Sequence, residues 1–435
     1  MDAIDRILAD FAPDGPLAEI RQQAAEQVRL HGMPSQRQEA WKYTSLAPLR
    51  DIAYRAATAA DGDALDAAGF SAFALASASP HRVVLVNGRF RADLSTTDAL
   101  PTGITVTSIA AALEGDAVAL AGIYAEQSAP EAVFTALNAA LLDDGLLIEA
   151  GPDAQLDAPL HLVFVAAGDT PLLRAPRVIV RAARNARLRI IEEYRGIEGD
   201  RGLTNVVTDV NLGEGAVLEH HRLQSEPDTC AQIGRVRATL GALSTFNSDS
   251  VTFGGALTRI DIEVALAARG ARCRLNGLFA TDGAQHVDHH TLIDHQVGDT
   301  HSEELYRGIL DGRSRGVFNG KVVVRRDAQG ITAKQASNNL LLSRQAEIDT
   351  KPELEIYADD VSCAHGATVG ELDAQALFYL RSRGIDETTA RALLTYAFAE
   401  KVVETIPLDS IRHAIEERFI GARALSELED LVKGA

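Results

Sequence analysis

Cysteine is scarce in this chain: three residues, Cys230, Cys273 and Cys363, in a total of 435. A low, odd count argues against a disulfide framework and fits a reducing compartment. No Cys-x-x-Cys pair occurs, which excludes a preformed four-cysteine zinc or cluster site. Long apolar runs are also missing. None reaches about 18 residues, so no membrane span is expected. The start, Met1-Asp2-Ala3-Ile4-Asp5-Arg6, has no basic segment ahead of an apolar one. A secretory signal is therefore not expected, and a cytoplasmic protein is. There is no Gly-x-x-x-x-Gly-Lys-Ser/Thr phosphate loop, so the chain is not expected to bind or hydrolyse ATP itself. No Gly-x-Ser-x-Gly elbow occurs, and no dinucleotide fingerprint falls between a strand and a helix. Positive charge is in deficit. The formal net charge of −19 works against nucleic acid or an anionic membrane as a partner.

What is present divides into three textures. Hydrophobic content of 46% and charged content of 24% are those of a globular protein. Residues 1–159 are Ala-rich with helical periodicity. Leu17, Ile20, Ala24 and Val28 predict an amphipathic helix ending near Gly32, and a second helix is predicted around Ala132–Leu142. A hairpin interrupts this region near 81–90, where Asn87-Gly88 follows the apolar run His81–Val86. Residues 160–365 carry β-branched runs with period-2 alternation. Small-residue corners recur at Arg184-Asn185-Ala186, Glu214-Gly215-Ala216, Ala242-Leu243-Ser244, Arg269-Gly270-Ala271 and Gln345-Ala346. Most fall about 27–32 residues apart, with one wider gap around Asp311-Gly312. That spacing predicts a β-helix, in which stacked coils bury what one coil cannot. A β-sandwich is the alternative.

Residues 366–435 are helical in pattern. Asp386 and Asp409 are placed to cap helices, and the helices are expected either to cover the open end of the solenoid or to present a surface to another protein.

Two constellations could carry chemistry. The first is Gln285-His286-Val287-Asp288-His289-His290-Thr291-Leu292-Ile293-Asp294-His295, continued by Asp299 and His301. On a strand His286, Asp288 and His290 share one face at a metal-binding spacing. A polar row on a solenoid's surface, or imidazoles bonded to Asp and Thr, is the other interpretation. The second is Cys363 and His365, two apart, so that a thiol and an imidazole share a strand face. Such a pair can ligate a soft metal, hold sulfur or act as a nucleophile, or Cys363 can simply pack. Cys230 and Cys273 sit in strand-like patterns and are expected to pack.

The motifs together resemble the SufD family. They are Glu39-Ala40-Trp41-Lys42-Tyr43-Thr44, Val84-Leu85-Val86-Asn87-Gly88, His286-Val287-Asp288, Ser314-Arg315-Gly316-Val317-Phe318-Asn319-Gly320, and Ala333-Lys334-Gln335-Ala336-Ser337-Asn338-Asn339-Leu340-Leu341-Leu342-Ser343. Pro352-Glu353-Leu354-Glu355-Ile356-Tyr357 then runs into Cys363-Ala364-His365-Gly366-Ala367-Thr368-Val369-Gly370, and Leu377-Phe378-Tyr379-Leu380-Arg381-Ser382-Arg383-Gly384-Ile385 completes the set. The resemblance implies a mostly β protein, with a central β-helix flanked by helical regions. It implies a non-catalytic scaffold subunit for iron–sulfur cluster assembly. Its expected partners are a SufB-like subunit and, through the C-terminal helices, a SufC-like ATPase; in isolation it could form a homodimer. Cys363 and His365 match positions implicated in cluster formation at the contact between subunits, where the transient cluster would be shared. The rival class is a β-helix hydrolase or lyase using the Asp/His row of residues 286–301, which would need an open cleft lined by paired carboxylates.

Overall fold

The structure, a computed structural model, describes residues 6–8, 11–15, 17–70, 79–115 and 132–421. The alternating runs form strands of mostly ten residues that belong in turn to two sheets. Each strand pairs in parallel with the next but one along the chain. Successive partners in register lie 26 (Ala231↔Leu257) to 32 (Arg315↔Glu347) residues apart. Two-strand coils stacked in this way are a β-helix, and a sandwich of antiparallel strands is thereby set aside.

Corners repeat as well as strands. Asp153, Asn185, Gly215, Leu243, Gly270, Asp299 and Gly330 all have positive φ and stack into one column. The N–H of each, from Asn185 to Gly330, donates to a carbonyl of the following corner, as Leu243 does to Arg269 at 3.0 Å. Four of the expected corners belong to this column. The wider gap does not exist: the column continues through Asp299 and Gly330. Gln345-Ala346 and Asp311-Gly312 instead turn the chain on the opposite side, from the second sheet back to the first. The polar run around residue 299 hid a corner that asparagine, aspartate and glycine serve alike, since all three tolerate the left-handed conformation.

The sheets reach beyond the expected limits of 160 and 365. Gly145–Ala150 pairs with Arg177–Ala182, His81–Val86 pairs with Leu160–Ala166, and the last strand, Val361–Gly370, runs past His365. The predicted hairpin is present, with Val86 opposite Arg89 across Asn87-Gly88. The predicted helices appear as Ala18–His31 and Val133–Leu141. With Trp41, Leu46 and Leu49 they cover the outer face of the first sheet, against Leu147, Ile179, Ile233 and Leu257. In the C-terminal region Asp386 caps Glu387–Val403 by accepting from the Thr389 N–H. Asp409 does not cap; it lies inside the first turn of Asp409–Ile420 and pairs with Arg412.

The helices Glu387–Val403 and Asp409–Ile420 do not cover the end of the solenoid. Val402, Val403, Ile406, Ile411 and Ile415 lie flat on the second sheet, against Ile191, Leu223, Val251, Leu278 and Ile309. An apolar sheet face offers far more area than a strand edge, so burial draws the helices there. Glu347–Ile356 and Val361–Gly370 stay at the ends of their sheets, each with one edge unpaired among the described residues.

Leu243 is the one residue of the corner column with a branched hydrocarbon side chain at positive φ, and it is 64% exposed. Leu243→Gly should raise stability by about 0.5–1 kcal/mol in thermal or denaturant unfolding, the relief of left-handed strain less the entropy of glycine.

Candidate functional site at the open end of the β-helix

The last coil inherits its side-chain directions from the one before. In Ile331–Leu341 the residues Ala333, Gln335, Ser337 and Asn339 are buried and face the interior. Register pairs Ala333 with Cys363 and Gln335 with His365, so thiol and imidazole stand side by side on the interior face of the last strand. No further coil follows among the described residues. Cys363 is half-buried against the core together with Val361, whereas His365 is open to solvent. Across the interior, the Thr350 hydroxyl donates to Ser337 at 3.1 Å. Asp359 and Asp360 are exposed at the corner, where the Asp360 N–H donates to Gln329 Oε1 at 2.8 Å.

Burial raises the thiol pKa of Cys363, and no neighbouring charge acts on it. Alone, the group is a thiol rather than a thiolate. A soft cation replacing the proton turns it into a ligand, with imidazole as second donor. One Cys and one His make half of a four-donor set, and the end of the sheet leaves room for the other half. The surroundings suit contact with another chain. Of the seven large apolar residues exposed among those described, five (Ile356, Tyr357, Val369, Phe378 and Tyr379) belong to the last coil and the helix after it. The other two cysteines are buried. Cys230 Sγ lies 3.0 Å from Asp200 Oδ2, and burial holds both thiols well above their ordinary range.

The Asp/His row separates into different places. His286, Asp288 and His290 face outward, toward the N-terminal segment, while His289 and His295 face inward. His295 bonds Thr300 (2.7 Å) and Ser302 (2.9 Å); His289 stacks on Phe279. Asp288 is fully buried. It accepts from Thr44 Oγ1 at 2.5 Å and Arg259 Nη1 at 3.0 Å, and His290 Nε2 lies 3.0 Å from its other oxygen. Arg259 stacks 3.9 Å above the Trp41 ring and donates to the Ala40 carbonyl. His286 lies 2.9 Å from the Thr44 hydroxyl. These contacts lock the Glu39–Thr44 motif onto the first sheet. Among the described residues no group of three or more His, Cys, Asp or Glu is arranged to hold a metal. A groove of about 400 Å³ runs beside His290. Its carboxylates face cations, Glu263 meeting Arg235 at 2.6 Å and Glu39 meeting Lys351 at 2.8 Å. Asp294 and Asp299 likewise pair with Arg325 and Arg269. The paired free carboxylates that glycoside chemistry requires are not found among these side chains.

Sequence inspection missed Glu304 and Gln335, buried beneath His365 and joined by a 2.6 Å hydrogen bond. The alternation in Ile331–Leu341 is the one signal that would have turned Gln335 inward.

The last rung of the β-helix thus carries a thiol and an imidazole side by side. Comparison with known proteins shows the family. The profile described as "SUF system FeS cluster assembly, SufBD core domain" matches residues 164–398, and "SufBD protein N-terminal region" matches residues 10–162. An iron-sulfur cluster assembly SufBD family protein of Synechocystis is 34% identical over 424 residues, which is 95% of this chain and 92% of the relative. The iron-sulfur cluster assembly protein SufD of Escherichia coli is 30% identical over 409 residues, 92% of each. The chain belongs to the SufBD family of the iron–sulfur cluster assembly system and is a homologue of SufD. No helix among the described residues is long and apolar enough to cross a membrane.

Burial pushes the Asp288 carboxyl up, but His290, Arg259 and the Thr44 hydrogen bond outweigh it and hold the group well below the usual carboxylate range. A depressed folded value means stability that is present above the unfolded carboxylate pKa of about 4 and lost as pH falls toward the folded one. Asp288→Asn should therefore cost about 3 kcal/mol in unfolding at pH 7, with the gap to the parent narrowing in acid.

Proposed function

We propose that this chain is a non-catalytic scaffold subunit contributing half of an iron–sulfur cluster assembly site. Cys363 and His365 are its ligands, and a SufB-like subunit supplies the rest across the open end of the β-helix. The cluster is cargo, held briefly. The observation that carries this interpretation is the position of the pair: side by side, facing inward, on a final strand whose edge has no partner among the described residues. An edge of this kind recruits another strand or another chain. A SufB-like subunit seated there would exclude water and complete the donor set, while two protein ligands from each side keep the cluster removable. A second copy of this chain would meet the same edge when the partner is absent. The three buried or half-buried reduced thiols fit a cytoplasmic setting.

Reconstitution with the partner subunits tests the ligands. Cys363→Ser and His365→Ala should each lower cluster loading at least tenfold, with folding and assembly of the complex intact. Loading should rise with pH in the parent, because the thiol proton must leave. The Cys363→Ser complex should lose that one-proton dependence. Full loading of the double variant would refute the ligand assignment.

The ATPase reading concerns the helices after Glu371. Removing them whole would bare Ile191, Leu223, Val251 and Leu278, so point changes are the cleaner probe. Phe378 and Tyr379 are 75% and 56% exposed on Ala374–Ser382, a helix with no buried residue. Phe378→Ala with Tyr379→Ala should weaken binding of a SufC-like ATPase by about 2 kcal/mol or more in titration calorimetry, leaving the thermal melt unchanged. Undiminished affinity would move the docking site elsewhere.

A further inference from the structure

His365 stands on a column of side chains that continues into the molecule. Register places Gln335 one rung below it and Glu304 one rung below that. Neighbouring rungs lie about 4.8 Å apart. Gln335 Nε2 donates to Glu304 Oε2 at 2.6 Å, while Gln335 Oε1 is buried without a hydrogen-bond partner. The opposite sheet makes room for this amide. A Cβ on Gly320 would stand 2.4 Å from Gln335 Nε2 and 3.0 Å from its Cδ, too close for any side chain but glycine's. Position, orientation and space for the amide are thus set by three strands.

We propose that Glu304 and Gln335 are positioning residues for His365. The Glu304 carboxylate holds the amide with its N–H inward, so that the amide oxygen faces the open end and accepts the ring N–H of His365. That hydrogen bond selects one tautomer and presents the other ring nitrogen to the incoming metal. The inference rests on reading His365 as a ligand, but concerns what orients its ring.

Glu304 is well placed to make the device respond to protons. The groups that face it are Thr291 from the first sheet, Gln335 from the next coil, Cys273 from the previous coil and Tyr306 on its own strand, and none of these is a cation. Burial, partly offset by the Gln335 hydrogen bond and the nearby Thr291 hydroxyl, pushes its carboxyl up to about 7. When neutral, Glu304 can donate to an amide oxygen. The Gln335 amide then turns over and offers N–H₂ to His365, favouring the other tautomer.

The test uses the full chain with ¹⁵N-labelled histidine, without metal. The His365 ring signals are assigned by their loss in His365→Ala. In the parent, the tautomer ratio of the neutral ring should change roughly fivefold between pH 6 and pH 8, the size of one neutral hydrogen bond. Glu304→Gln, a near-isosteric change, should abolish that pH dependence. Gln335→Met should abolish it too and bring the ratio toward that of free imidazole. If Gln335→Met fails to fold, the Glu304→Gln profile decides alone. A His365 ratio and pH profile unchanged in the variants would overturn the proposal. Failure of the ligand reading looks different: cluster loading would survive His365→Ala while the tautomer still followed Glu304.

Discussion

Parallel stacking is the constraint on which everything else here depends. A strand in a β-helix bonds to the coils before and after it, never to its chain neighbours, so its backbone is satisfied only by adjacent coils. The corner column adds a second ladder, coil to coil. Such a stack has no internal reason to stop. At its N-terminal end it is finished by antiparallel strands, Arg89–Phe90 on one sheet and Ile104–Ser108 on the other. At its C-terminal end nothing within the described chain pairs the last edges. The proposed function follows from that asymmetry.

The helices show how the chain divides its apolar surface. Trp41, Phe134 and the N-terminal helices cover the outside of the first sheet; Val402, Ile411 and Ile415 cover the outside of the second. Part of each outer face is thus buried by the chain itself. The Arg259–Asp288–Thr44 clamp belongs to this division. It ties a polar segment to a sheet face by a buried ion pair, which specifies one seating where apolar contacts alone would permit several.

Chemistry at the last rung is restrained by design of its surroundings. Cys363 has a raised pKa and no cation to make it a thiolate, so it is a poor free nucleophile; in the proposed role a metal would have to displace its proton. His365 brings a neutral donor from the same face. Under the proposed function, a half-buried thiol and an exposed imidazole at an edge would bind weakly by themselves and well across a contact, which suits cargo that must leave.

Much of this was legible in the chain before it was folded. Period-2 runs with corners every 27–32 residues specify coils, and a Cys and His two apart must share a face on any strand. The Asn87-Gly88 hairpin and the Asp386 cap are local and were equally plain. What alternation cannot say is which face is inside, because both parities of His286–His295 carry polar groups; only register against neighbouring coils sent Asp288 outward and His289 inward. Helix placement was equally hidden. The apolar stripes of residues 387–420 fit an end or a face, and the area available on the second sheet decided. Local geometry thus determined the pair Cys363–His365 from sequence alone. That the pair ends the stack, facing a space no other described coil fills, is a property of the ladder, and ladders exist only between residues distant in sequence.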